Sequence, residues 1–298
     1  MKLVYLSASV FFIVSLIGFN LVLENDNGQN YYKQQEVLGY SSSAKVIPVL
    51  KTAASAPIVS AQGAMVVDLE TGISLYSKDA DKKLLPASTT KIVTSLVALE
   101  NYPLDKILEV KQPSVEGQKM RLVLGEHMKV ENLLNGLLIF SANDAAETLA
   151  DNFPGGRQEF VLQMNALAKR LNLADTWFEN PTGLDGNSQV TSARDMIRLA
   201  SFAMKNQVFR KIVSTKGLTV HNAEGTIAHK LTNLNELLGE VDGVIGVKTG
   251  WTEEARENLV TYVERGDRRI AVVVLGSQDR FGETKELIDW TFANYEWI

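Results

Sequence analysis

Three short groups of chemistry-bearing residues stand in order along the chain: Ser88-Thr89-Thr90-Lys91, Ser141-Ala142-Asn143 and Lys248-Thr249-Gly250. Together they describe a serine acyl-transfer site that works without histidine. A serine hydroxyl is a weak nucleophile until an adjacent base takes its proton. On a helix, side chains three residues apart share a face, so Lys91 lies beside Ser88 and can be that base. It must then be substantially neutral near pH 7, against an ordinary lysine value of about 10.4. Burial and a nearby second ammonium both disfavour the charged form, and Lys248 is the candidate second cation. Ser141 offers a hydroxyl that passes a proton to a departing amine. Asn143 offers a carboxamide that binds a peptide group and holds the lysine. Lys248 and Thr249 suit a terminal carboxylate, by charge and by hydroxyl hydrogen bond. Gly250 removes a side chain where an extended substrate lies against a strand.

Each group also has a plain reading: a serine at a helix N-terminus, a capping turn between helices, a turn glycine. A Ser-x-x-Lys tetrapeptide alone carries little, since about one is expected by chance in a chain this long. A second one, Ser42-Ser43-Ala44-Lys45, sits in a polar stretch without helical period. Ser88 differs because Ile92, Val93, Leu96, Val97 and Leu99 follow it in the pattern of a buried helix.

The elements that must position these groups are legible in outline. From Gln62 the pattern is strand, a Glu70-Thr71-Gly72 turn, then a strand over Ile73 to Ser77, a hairpin signature. Pro86 precedes a helix with Ser88 in its first turn, where backbone N–H groups favour developing negative charge. Val130, Leu133, Leu134, Leu137 and Leu138 form one apolar helical stripe that ends just before Ser141. Asn143 or Asp144 is placed to cap the next helix, through Leu149. Phe160, Met164, Leu167 and Leu171 make another stripe, and Ala193 to Met204 a further helix. Strands return over Leu259 to Glu264 and Arg269 to Gly276, joined by an Arg265-Gly266-Asp267 turn. A closing helix follows, from Gly282 or Glu283 to Tyr295. The expected class is α/β (α+β): an antiparallel sheet built from both chain ends, flanked by helices, with an inserted all-helical cluster.

The 298 residues are 45% hydrophobic and 22% charged with net charge −5, which fits a globular protein with a substantial core. A mildly acidic balance gives no support for nucleic-acid binding. The chain has no cysteine, which excludes disulfides and thiolate metal sites. His127, His221 and His229 form no His-Glu-x-x-His arrangement, so no metal and no cofactor are expected. Leu3 to Leu23 carries no charge and is long enough to cross a hydrocarbon core of about 30 Å. Lys2 precedes it and Glu24 and Asp26 follow, so the positive-inside rule puts the rest of the chain outside. A cleaved signal peptide is the competing reading, but its apolar region normally runs about 7–15 residues. The small residues Ala53-Ala54-Ser55-Ala56 lie far downstream. The expected organisation is a membrane anchor over 1–23, an extracytoplasmic linker over 24–56 and a catalytic domain over 57–298.

The local text around the three groups resembles one family. The matching segments are Ala64-Met65-Val66-Val67-Asp68, Leu85-Pro86-Ala87-Ser88-Thr89-Thr90-Lys91 and Ser141-Ala142-Asn143-Asp144-Ala145-Ala146. Asn180-Pro181-Thr182-Gly183-Leu184, Thr191-Ser192-Ala193-Arg194-Asp195-Met196 and Val247-Lys248-Thr249-Gly250-Trp251-Thr252 continue the match. The chain resembles the serine D-alanyl-D-alanine carboxypeptidases of peptidase family S11, low-molecular-mass penicillin-binding proteins that share their motif set with class A β-lactamases. The resemblance implies a β-lactamase/transpeptidase-like fold and an acyl-enzyme at Ser88 that water hydrolyses. It implies peptidoglycan stem peptides and β-lactams as partners, trimming of the terminal D-alanine as the reaction, and the cell membrane as the place. It also implies an oxyanion hole made by the backbone N–H groups of Ser88 and Trp251. One departure stands out: after Ala255 the family usually has glycine and an aromatic residue, where this chain has Arg256 and Glu257. D,D-endopeptidase cleavage of crosslinks uses the same site. A serine β-lactamase shares the motifs, but the class A Glu-x-x-Leu-Asn pattern is absent, and Glu179-Asn180-Pro181 does not match it. A non-catalytic wall-binding homologue has only Arg256 and Glu257 in its favour.

Overall fold

The computed structural model describes residues 46–51 and 55–298. In chain order the elements begin with β1 (Pro48–Leu50), β2 (Gly63–Asp68), β3 (Ser74–Lys78), a single 3₁₀ turn (Ala87–Thr90) and α1 (Lys91–Asn101). β4 (Ile107–Glu109), β5 (His127–Lys129), α2 (Val130–Ile139), α3 (Asn143–Asp151), α4 (Gly156–Arg170), α5 (Ala193–Ala203) and α6 (Gln207–Val213) follow. The chain closes through β6 (Gly217–His221), β7 (Ala228–Thr232), β8 (Val244–Thr252), β9 (Arg256–Arg265), β10 (Arg268–Ser277), α7 (Arg280–Asn294) and β11 (Tyr295–Trp297).

Both expected hairpins are present. At the first, the Asp68 carboxylate accepts the Thr71 backbone N–H and hydroxyl at 2.8 and 2.6 Å, and Gly72 takes φ +75°. Side chain and glycine thus fix the turn together. The five-stranded sheet has the order β3-β2-β10-β9-β8, every pair antiparallel. Its centre joins the two chain ends, because Gly63–Asp68 of β2 lies opposite Leu275–Ile270 of β10. Side chains alternate between faces. Met65, Val67, Ala271 and Val273 enter the core shared with the central helices, whereas Ala64, Val66, Val272 and Val274 pack with Leu287 and Ile288 of α7. The fold class is therefore the expected one.

Three expectations need correction. The insert between β3 and β8 is not all-helical, since it also carries the two-stranded pairs β4–β5 and β6–β7. A three-residue strand with one buried position, as in both β4 and β5, is too short to show a period in sequence. The closing helix starts earlier than expected, because the Asp279 side chain caps it by accepting the Gly282 N–H at 2.9 Å. It also stops before Tyr295, which instead begins β11. Residues 48–50, inside the stretch expected to be linker, pair with Trp297–Tyr295 as a ribbon. The expected anchor over Leu3 to Leu23 and the Ser42–Lys45 tetrapeptide lie outside the described residues. Among the described residues, no helix is long and apolar enough to cross a membrane.

Candidate active site

Ser88 sits in the 3₁₀ turn, and α1 begins only at Lys91. The expected placement in the first α-turn is thus off by one turn, with a useful consequence. In a 3₁₀ turn residues i and i+3 eclipse, which stacks Lys91 directly on Ser88. Lys91 Nζ and Ser88 Oγ are 2.9 Å apart, and Nζ also donates to the Thr182 carbonyl at 2.5 Å. The lysine side chain is fully buried. Burial, and after it the Lys248 charge, holds Lys91 well below the ordinary lysine value. The Thr182 carbonyl is presented by a loop that Asn180 folds, its Oδ1 accepting from the Thr182 hydroxyl and the Gly183 N–H, both at 2.8 Å. Gly183 is required there: its φ is +85°, and a Cβ would stand 1.9 Å from the Ala87 carbonyl oxygen.

Ser141 follows α2 with φ +61°, a left-handed position that usually falls to glycine or asparagine. Its Oγ accepts from Lys248 Nζ at 3.0 Å, and the same Nζ donates to the Thr249 carbonyl at 3.0 Å. Lys248 is 2% exposed, and burial, with Arg280 next in weight, pushes its ammonium down to about 7. The site therefore contains two Ser–Lys pairs, Ser88–Lys91 and Ser141–Lys248.

Asn143 is the first residue of α3 rather than its cap, and it does not hold Lys91. Its backbone N–H and Nδ2–H donate to the Gln118 and Glu116 carbonyls, each at 2.7 Å, so its amide donor is turned to that loop. Its Oδ1 is buried without a partner among the described residues. Asp144 does not cap by the usual bond either. Its carboxylate accepts the Met120 and Leu122 N–H groups at 3.1 and 3.0 Å, tying the same loop to α3.

Lys248, Thr249, Gly250 and Trp251 lie on β8, one of the two edge strands of the five-stranded sheet. A Cβ on Gly250 would be 3.2 Å from Ala87 Cβ, the Pro86 carbonyl oxygen and the Ser88 nitrogen alike. The glycine is thus what lets the nucleophile turn approach the strand, in addition to any room it leaves for substrate. Trp251 is 62% exposed at the rim. Arg280, absent from the sequence reading, donates from Nη1 to the Gly250 carbonyl at 3.0 Å, and its Nε is buried without a partner among the described residues. No motif marks this arginine; it arrives beside β8 because α7 starts there. The two residues that depart from the family pattern have structural roles. Arg256 takes φ +57°, the region a glycine occupies without strain, and Glu257 Oε2 accepts the Arg280 backbone N–H at 2.9 Å. The three groups assemble regardless. His229 pairs with Glu126 at 2.7 Å and with the Met120 carbonyl at 2.9 Å, and His127 with Glu224 at 3.0 Å. Neither belongs to a group of three or more possible metal ligands among the described residues.

The sequence and the architecture both have counterparts among known proteins. The family model described as D-alanyl-D-alanine carboxypeptidase, peptidase family S11, matches residues 50–279. A D-alanyl-D-alanine carboxypeptidase of Bacillus subtilis is 34% identical over 247 residues, 79% of this chain and 63% of that protein. The chain thus spans a little under two thirds of that relative. A D-alanyl-D-alanine endopeptidase of Escherichia coli is 31% identical over 247 residues, 80% of this chain and 79% of the relative. The crystal structure of the Streptomyces K15 DD-transpeptidase superposes with a TM-score of 0.76 at 32% identity, covering 80% of this chain and all of that one. By sequence match over most of its length and by fold, this chain belongs to the serine D-alanyl-D-alanine carboxypeptidase family S11.

Proposed function

We propose that the chain is a serine-type D-Ala-D-Ala carboxypeptidase that removes the terminal D-alanine of peptidoglycan stem peptides. The observation that carries this reading is the buried Lys91 amine 2.9 Å from the Ser88 hydroxyl. Neutral Lys91 takes the Ser88 proton as Oγ attacks the carbonyl carbon of the D-Ala-D-Ala bond. The Ser88 and Trp251 N–H groups receive the developing oxyanion. Ser141, hydrogen-bonded to Lys248, relays the proton now on Lys91 to the departing amine, so that D-alanine leaves with Ser141 protonated and Lys91 neutral again. Water then hydrolyses the Ser88 ester with Lys91 again as base. Lys248, Thr249 and the Arg280 guanidinium hold the substrate's terminal carboxylate, while the Asn143 Oδ1 accepts from a substrate peptide N–H. An extended peptide adds along the free edge of β8, the usual mode for strand-edge recognition.

D-alanine release from a D-Ala-D-Ala-terminated peptide tests the reaction, with the amidated peptide as control. Release from the free acid and little from the amide is expected. Equal turnover of both favours endopeptidase cleavage, which the similarity to the Escherichia coli endopeptidase makes the second reading.

The anchor belongs to the same proposal. Leu3 to Leu23 spans the cell membrane once and places the catalytic domain on the extracytoplasmic side, with a linker between. The protein is then expected to stay with membranes through high-salt and carbonate washing, with Lys2 retained. A mature N-terminus between Glu24 and Ala56 would show a cleaved signal instead.

A further inference from the structure

Asn258 stands on β9 directly opposite Gly250 of β8 and is fully buried. Its Nδ2 donates to the Leu85 carbonyl at 2.9 Å and the Pro86 carbonyl at 3.0 Å, the two residues that lead into the nucleophile turn. Its Oδ1 accepts the Gly276 N–H at 2.8 Å, in the irregular stretch of β10 between Val274 and Ser277. Both amide donors and the amide oxygen are therefore committed. One side chain ties the segment before Ser88 to two strands of the sheet. That segment needs an external tie: Ala87 takes φ +46°, a strained position for a residue with a Cβ, kept only where surroundings over-determine it. It also runs against β8 at the limit of contact, with the Ser88 nitrogen 3.2 Å from where a Gly250 Cβ would stand.

We propose that Asn258 is a positioning residue for the oxyanion hole. It fixes the Leu85 and Pro86 carbonyls on β9 and so sets the separation between the Ser88 N–H on the turn and the Trp251 N–H on β8. It touches no substrate atom and moves no proton. The proposal rests on the acyl-transfer reading above. Oxyanion donors act only when they stand about 2.7–3.1 Å from the developing charge, so a small relaxation of the turn costs rate and leaves carboxylate anchoring intact. No local motif announces this role, because Asn258 lies 173 residues from Leu85.

The test uses the full chain carrying Asn258→Asp, which keeps an acceptor for Gly276 but turns a carboxylate oxygen toward the two carbonyls. Three quantities are read with a penicillin and a peptide boronic acid: the dissociation constant of the non-covalent penicillin complex, the first-order acylation rate, and the boronate affinity. The expected result is acylation slowed by about 10²-fold, as for loss of one oxyanion donor. Boronate binding weakens in step, while the non-covalent constant moves less than threefold. Unchanged acylation and boronate affinity in the folded variant would overturn the proposal, as would equal loss in all three, the mark of general loosening. If Asn258→Asp does not fold, the neutral Asn258→Ser is read on the same quantities with the same expectation. Failure of the unmodified chain to be acylated removes the acyl-transfer reading and this proposal together. Normal acylation by the unmodified chain and by the variants removes only the role of Asn258.

Discussion

Lys91 and Lys248 are both buried lysines with depressed ammonium groups, yet the proposed chemistry asks opposite things of them. Lys91 must be neutral to accept a proton, whereas Lys248 must be charged to attract a carboxylate. The kcat/KM for an acid-terminated peptide is therefore expected to fall on the acid side as Lys91 protonates. It is expected to fall again above about pH 7 as Lys248 in the free enzyme loses its charge. Lys248→Gln should lower kcat/KM roughly 10- to 100-fold, the usual weight of a charge-assisted hydrogen bond, and erase the alkaline limb. A pH profile of both proteins checks this. Stability follows the same groups. An unfolded lysine titrates near 10.4, so between about 7 and that value the unfolded state binds more protons than the folded state. Stability then rises with pH across that window, and the burial penalty is complete below it. Lys248→Met should accordingly gain stability at pH 6 and lose that advantage as pH approaches 10.5, read by urea unfolding. The Ser88–Lys91 pair was legible because three-residue spacing is a local property. The Thr182 carbonyl, 91 residues from Lys91, and Arg280, 30 residues from Gly250, were not, since only the tertiary fold brings them in.

The elements position the site through strained or crowded joints rather than through regular helix and strand. Ser141 closes α2 in a left-handed conformation that costs a residue with a Cβ about 1–3 kcal/mol. Ser141→Gly should thus raise the unfolding temperature by a few degrees while slowing acyl transfer, measured by thermal unfolding and D-alanine release. Gly183 has the converse role. Gly183→Ala forces a Cβ into the Ala87 carbonyl, so roughly 2 kcal/mol or more of stability and most of the penicillin reactivity should be lost together. The long apolar stripe of α2 and both sheet hairpins were legible because period and turn chemistry agree over many residues. The three-residue strands were not, and neither was the 3₁₀ turn, which sits against segments that only Gly183 and Gly250 let approach so closely.

At the scale of the molecule, the site lies where a sheet closed from both chain ends meets the helices inserted between its strands. β8 brings Lys248 through Trp251, the helical side brings Ser88, Lys91, Ser141 and Asn143, and neither part alone holds a complete constellation. That architecture was legible from strands at both ends of the sequence. Of the ribbon of β1 with β11, the apolar run Val46 to Leu50 stood out within the polar linker as a stretch with order, but its pairing with residues 295–297 was not legible. A chain beginning at residue 46 should keep its penicillin reactivity. One beginning at Ala56 should also react, but with a lower unfolding temperature, since β11 loses its partner. The central claim, acyl transfer at Ser88 with Lys91 as base, is met most directly by mass-spectrometric mapping of a penicillin adduct on the full chain. One adduct is predicted, on the peptide that contains Ser88, and none in Ser88→Ala. An adduct on any other serine, or no adduct in folded protein, would contradict the account.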